Sequence, residues 1–137
     1  MPERSYRVFL DEDNAIFIYF ETIGGEVVAF VVKHLTMIGD EEYEVVRFDS
    51  GHEVPHMDIL HPDGTVKDKI WFRHLDNAQA FTQAKENIKQ HYRFYRERFI
   101  QWKTEIKYKF GYIILKIAKS QKKKTFCALK IKTELKD

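Results

Sequence analysis

At 137 residues, 44% hydrophobic and 32% charged, the chain is long enough for one domain with a single modest core. It has no apolar run of about 18 residues, which excludes a membrane-spanning helix. A single cysteine, Cys127, excludes an intrachain disulfide and any multi-thiolate zinc site. The net charge of +2 hides an asymmetry: residues 1–102 hold 12 Lys+Arg against 18 Asp+Glu (net −6), and residues 103–137 hold 11 against 3 (net +8). A mildly acidic body, 1–102, is therefore expected to carry a basic C-terminal extension, 103–137, that docks on the body, binds nucleic acid or stays solvated.

Tyr6 to Leu10 and Ala15 to Glu21 are rich in aromatic and β-branched residues around the acidic turn Asp11-Glu12-Asp13-Asn14, the pattern of a hairpin. Gly24-Gly25 supplies the positive φ angles of a second tight turn. Glu26 to Leu35 is an almost continuous apolar strand, expected to be covered on both faces. Gly39-Asp40 turns the chain into Tyr43 to Asp49, where plain alternation puts Tyr43, Val45 and Arg47 on one face and Glu44, Val46 and Phe48 on the other. Ser50 to Val54 is a loop, and Pro55 suits a strand start. In the strand that follows, His56, Asp58 and Leu60 share one face and Met57 and Ile59 the other. His61-Pro62-Asp63-Gly64 is a strong turn signal leading into a strand from Thr65 to Phe72.

Asp76 reads as a helix N-cap, with Gln79 three residues on to complete a capping box. Phe81, Ala84, Ile88, Tyr92, Tyr95, Phe99 and Trp102 then step by three and four, which predicts one helix from about Asn77 to Trp102 with a continuous apolar face. Its other face carries Lys85, Lys89, Arg93 and Arg96. Beyond Trp102 the run Tyr108 to Ala118 suits a strand or a helix, Lys119 to Lys124 reads as a basic turn and Thr125 to Leu129 as a return strand. The fold class is α+β: an antiparallel sheet of about five to six strands with one long helix, in the C-terminal half, packed on one face.

The stretch Val45 to Gly64 concentrates the chemistry, with His52, His56 and His61 beside Asp49, Asp58 and Asp63. Histidine titrates near neutrality and a neighbouring carboxylate fixes its tautomer, so His56 with Asp58 or Asp49 is a candidate acid–base pair. His52 would be a second proton carrier and Arg47 a phosphate contact. That set suits a metal-independent ribonuclease, in which the RNA 2′-hydroxyl is the internal nucleophile. The same imidazoles with Asp58 could instead hold zinc, manganese or iron(II), with Asp49 or Asp63 joining from the turns. The bland alternative is a set of loop residues that fix turns through side-chain hydrogen bonds. Lys89, Arg93 and Arg96 on the helix, with Lys122, Lys123 and Lys124 in the extension, are candidate nucleic-acid contacts, and interleaved aromatics such as Tyr108, Tyr112 and Phe126 could stack on unpaired bases.

Val45-Val46-Arg47-Phe48-Asp49, His52, Pro55-His56, Asp58, Pro62-Asp63-Gly64 and the helical Tyr95-Arg96-Glu97-Arg98-Phe99 together resemble a small prokaryotic family of unknown function. The central motif is also distantly similar to TumE-like toxins of bacterial toxin–antitoxin pairs. The resemblance implies a small α+β protein that acts on RNA or blocks translation and is neutralised by an antitoxin-like partner. No cofactor is expected, with a divalent metal on His52, His56 and Asp58 as the alternative, and the N-terminus shows no export signal, so the expected home is the cytoplasm. A non-enzymatic module that binds protein or nucleic acid is the alternative.

Overall fold

The computed structural model describes residues 3–122, without the side chains of residues 52, 108, 110 and 116–122. The strands are β1 (Glu3–Phe9), β2 (Asn14–Ile23), β3 (Glu26–Ile38), β4 (Glu41–Asp49), β5 (His56–Leu60) and β6 (Val66–Trp71), followed by a single helix, α1 (Asn77–Lys122). They form one six-stranded sheet in sequence order with every neighbour antiparallel. Such a meander follows from the turns, since short reversals join only antiparallel neighbours. At the tightest, Ile23 pairs with Glu26 across Gly24 and Gly25, whose φ angles of 59° and 83° suit residues without a Cβ.

The chain divides into two compact units, Met1–Phe99 and Ile100–Asp137. In the first, α1 lies across one face of the sheet. The rings of Phe20 and Phe30 stand 5.1 and 5.6 Å from Phe81, and Tyr43 stands 5.6 Å from Phe99. Phe81, Ala84, Ile88, Tyr92, Tyr95 and Phe99 are all buried, as their spacing predicted. Burying each large apolar side chain is worth roughly 1.5–3 kcal/mol, as an upper value.

The capping box is present: the Asp76 N–H donates to Gln79 Oε1 at 3.0 Å, and the Gln79 N–H donates to Asp76 Oδ1 at 2.8 Å. Asp76→Ala is therefore expected to cost about 1 kcal/mol, read from the shift in urea midpoint. The helix does not stop at Trp102. It continues to Lys122, so the strand alternative for Tyr108 to Ala118 and the basic turn beginning at Lys119 are both corrected. Gly111 is tolerated within it, at a propensity cost of roughly 1 kcal/mol. The expected strand Thr125 to Leu129 lies outside the described residues.

Bulges correct the simple alternation on β4. His34 pairs with Val46 but Leu35 pairs with Glu44, leaving Val45 as an extra residue. The parity of β4 flips there: Tyr43 faces the helix, whereas Arg47 and Asp49 face away from it with Glu44. The expectation for β3 also needs adjustment, because exposed and half-buried residues alternate from Glu26 to Ala29 and continuous burial is confined to His34, Leu35 and Thr36.

Candidate functional site

The face turned away from α1 carries an ordered charge ladder. Register places Lys33 opposite Arg47, Arg47 opposite Asp58, and Asp58 opposite Lys69, in one row across β3 to β6. In the adjoining row, Asp49 is opposite His56 and His56 opposite Trp71. Directly opposed residues are within side-chain reach, so the strand pairing alone assembles the cluster.

His56 is 2% exposed and its ring is held from both ends. Nδ1 contacts the Val54 carbonyl at 3.0 Å, which spends the Nδ1 proton on the backbone. The ring so held stands with Nε2 3.1 Å from Asp49 Oδ1 and 3.8 Å from Asp58 Oδ2. The Trp71 ring lies 5.0 Å from the imidazole. Gly51 closes the other side. Its N–H donates to Asp49 Oδ1 at 2.8 Å, and a Cβ there would stand 2.9 Å from the same oxygen, so glycine is what permits this close approach.

Asp58, 3% exposed, accepts from Lys69 Nζ through Oδ1 at 2.7 Å and pairs with Arg47 Nη2 through Oδ2 at 3.4 Å. Arg47 is the hub. It also reaches Glu44 Oε1 at 3.1 Å and Asp49 Oδ2 at 3.5 Å, while Lys33 reaches Glu44 at 3.4 Å. Arg47 and Lys69 keep 32% of their side-chain surface in solvent, so the cluster is buried at its carboxylates and wet at its cations.

The structure thus brings together Arg47, Asp49, His56 and Asp58 of the expected set. The His52 backbone lies in a short 3-10 turn, Gly51–Glu53, and its side chain lies outside the described residues. For metal ligation, the carboxylate that joins His56 and Asp58 is Asp49. Asp63 belongs instead to the β5–β6 turn, where the hydroxyl and N–H of Thr65 donate to it and hold its carboxyl below the usual range.

Lys89 and Arg93 are exposed on α1, with Lys89 3.7 Å from Glu86. Arg96 does not share that stripe. It turns into the sheet and donates to Thr36 Oγ1 at 2.7 Å and the Met37 carbonyl at 2.6 Å, so it anchors the helix. Lys122 is the last residue of α1 and its side chain, like Lys123 and Lys124, lies outside the described residues. Lys69, Glu44 and Trp71 were not anticipated. The signal that finds them is strand register, not local motif.

Among the described residues, no helix is long and apolar enough to cross a membrane. A family model described as "Domain of unknown function (DUF7718)" matches residues 1–105, which include the whole sheet and every member of the cluster. No curated protein and no solved structure matches the chain.

Proposed function

The chain belongs to the DUF7718 family, and from its charged sheet face we propose a toxin-like protein that cleaves RNA and is restrained by an antitoxin-like protein. The observation that carries this reading is the convergence of the His56 Nε2 edge, two carboxylates and the partly exposed cations Arg47 and Lys69 on one face. His56 would move the proton of the 2′-hydroxyl, with Asp49 and Asp58 stabilising its charged form. Arg47 and Lys69 would exchange part of their carboxylate contacts for the scissile phosphate. Trp71 is 39% exposed beside them and flanked by Lys69 and Arg73, each 5.3 Å from its ring, which suits stacking on an unpaired base.

The burial of His56 favours a second reading, a non-enzymatic binding module. There the cluster fixes the strands, and Arg47, Lys69, Trp71 and Arg73 bind protein or nucleic acid without chemistry. Induced expression of wild type and His56→Ala, with an RNA-cleavage assay in the presence and absence of chelator, separates the two. The toxin reading expects slowed growth and cut RNA with wild type, and at least a 100-fold loss of cleavage in the folded variant. Intact RNA and equal growth in both arms reject it and leave the module. Cleavage that persists in chelator excludes a required metal.

A further inference from the structure

We propose that Asp49, His56 and Asp58 form a binding site for one divalent transition-metal cation, held by His56 Nε2 and one oxygen of each carboxylate. The three ligand atoms lie within 4.8 Å of one another. A metal about 2.1 Å from nitrogen and oxygen ligands separates adjacent ligands by about 3.0 Å in an octahedron and about 3.4 Å in a tetrahedron. The contacts of Nε2 with Asp49 and Asp58, 3.1 and 3.8 Å, lie within a few tenths of an ångström of the tetrahedral spacing, so small side-chain rotations complete the set.

Two further features point the same way. The Nδ1 contact with the Val54 carbonyl is the kind of backbone contact that orients a ligating imidazole, and it turns Nε2 toward the two carboxylates. Each carboxylate also divides its oxygens. Asp49 presents Oδ1 to the site and Oδ2 to Arg47, and Asp58 presents Oδ2 to the site and Oδ1 to Lys69. Gly51 orients the ligating oxygen of Asp49 through its N–H. Arg47 also stands 3.4 Å from Asp58 Oδ2, so it must swing toward Glu44 and solvent when the ion enters. One imidazole and two carboxylates, with no thiolate, suit Zn²⁺, Mn²⁺ or Fe²⁺ with open positions for water. Lys33, Arg47 and Lys69 already balance Glu44, Asp49 and Asp58, so affinity comes from ligand geometry and not from excess negative charge.

The site stands on this geometry, independently of RNA cleavage. One consequence does rest on the proposed function: Nε2 cannot bind a metal and move a proton together, so an occupying ion would inhibit cleavage.

Trp71 beside His56 offers a direct reporter. In the full-length chain carrying Trp102→Phe, Co²⁺ is titrated against tryptophan fluorescence, and Zn²⁺ is titrated by calorimetry. The expected result is one Zn²⁺ per chain and saturable quenching by Co²⁺. Asp49→Asn and His56→Gln, each first shown by circular dichroism to be folded, should weaken both by roughly 100-fold or more. If a buried substitution prevents folding, Gly51→Ala on the more exposed turn takes its place and should weaken binding by roughly tenfold through the displaced Asp49 oxygen. Binding that folded variants leave unchanged means an adventitious ion only, at other histidines, and overturns the proposal. So does the absence of binding. Metal binding together with no RNA cleavage by the chelator-treated protein retains the site and rejects the toxin reading, whereas cleavage without metal binding does the reverse.

Discussion

Asp58→Ala is expected to lower folding stability by about 3 kcal/mol, with no comparable loss from Asp68→Ala on the next strand. Asp58 is the negative group shared by Lys69 at 2.7 Å, Arg47 at 3.4 Å and His56 at 3.8 Å, and its own side chain is 4% exposed. Removing it leaves cations around a site where little water can replace the carboxylate. Breaking such a pair by deleting one partner typically costs about 3–5 kcal/mol. The low end applies because Arg47 and Lys69 are each 32% exposed and can turn outward. Asp68 pairs with Lys67 at 3.8 Å with 61% of its side chain in water, a geometry worth less than about 1 kcal/mol. Urea denaturation at neutral pH measures both. The Asp58 effect should survive added salt, which screens surface pairs far more than buried ones. A loss below 1 kcal/mol for both variants would show that the ladder does not contribute to the fold.

The same ladder explains which parts of the site were legible. Apolar spacing and turn chemistry located the strands, the capping box and the core face of α1, because these are local properties of a few consecutive residues. Assembly of the cluster depends on pairing, and pairing depends on two bulges that carry no local mark. Counted from the Gly39-Asp40 turn without a bulge, Lys33 would meet Val46. With Val45 extruded it meets Arg47. Counted from Leu60 opposite Val66, Asp58 would meet Asp68; with Lys67 extruded it meets Lys69. The second bulge exchanges a like-charge pairing for the Asp58–Lys69 ion pair, so charge favours the observed register there. The first sets Lys33 opposite Arg47, two like charges that are tolerated because both reach Glu44, so its register is not chosen by that pair. The continuation of α1 past Trp102 was missed for a different reason. The described side chains Ile106, Tyr112, Ile113 and Ile114 are exposed in the helix, so no buried face marks it in the sequence.

A second, unanticipated polar site should make the protein acid-sensitive well above the carboxylate range. His34 lies on the helix side of β3 with no exposed surface, its ring 6.3 Å from each of Tyr92 and Tyr95. Its Nε2–H donates to Asn14 Oδ1 at 2.9 Å, an oxygen that also accepts from Thr36 Oγ1 at 2.9 Å. Nδ1 has no hydrogen-bond partner among the described residues. Burial, reinforced by the nearby Arg96 guanidinium and only partly opposed by Asp11, pushes the imidazole down from 6.5 to about 4. The sign follows directly. Between those values the unfolded chain binds a proton that the folded chain refuses, so stability is complete above about pH 6.5 and falls as pH drops toward 4. At about 1.4 kcal/mol per pH unit the whole effect approaches roughly 3 kcal/mol. Glu42, held low by its Arg7 hydrogen bonds, and Asp63, held low by Thr65, surrender their contributions at lower pH, which leaves the upper part of the window to histidine. His34→Gln retains a donor for Asn14 and removes the titration. Between pH 6.5 and 4.5 the unfolding free energy, measured by denaturant titration, should therefore fall by roughly 2 kcal/mol more in wild type than in the variant. Equal slopes would place the acid sensitivity elsewhere. A flattened slope would identify the His34–Asn14–Thr36–Arg96 network, which ties β2, β3 and α1 together, as the point where acid loosens the helix from the sheet.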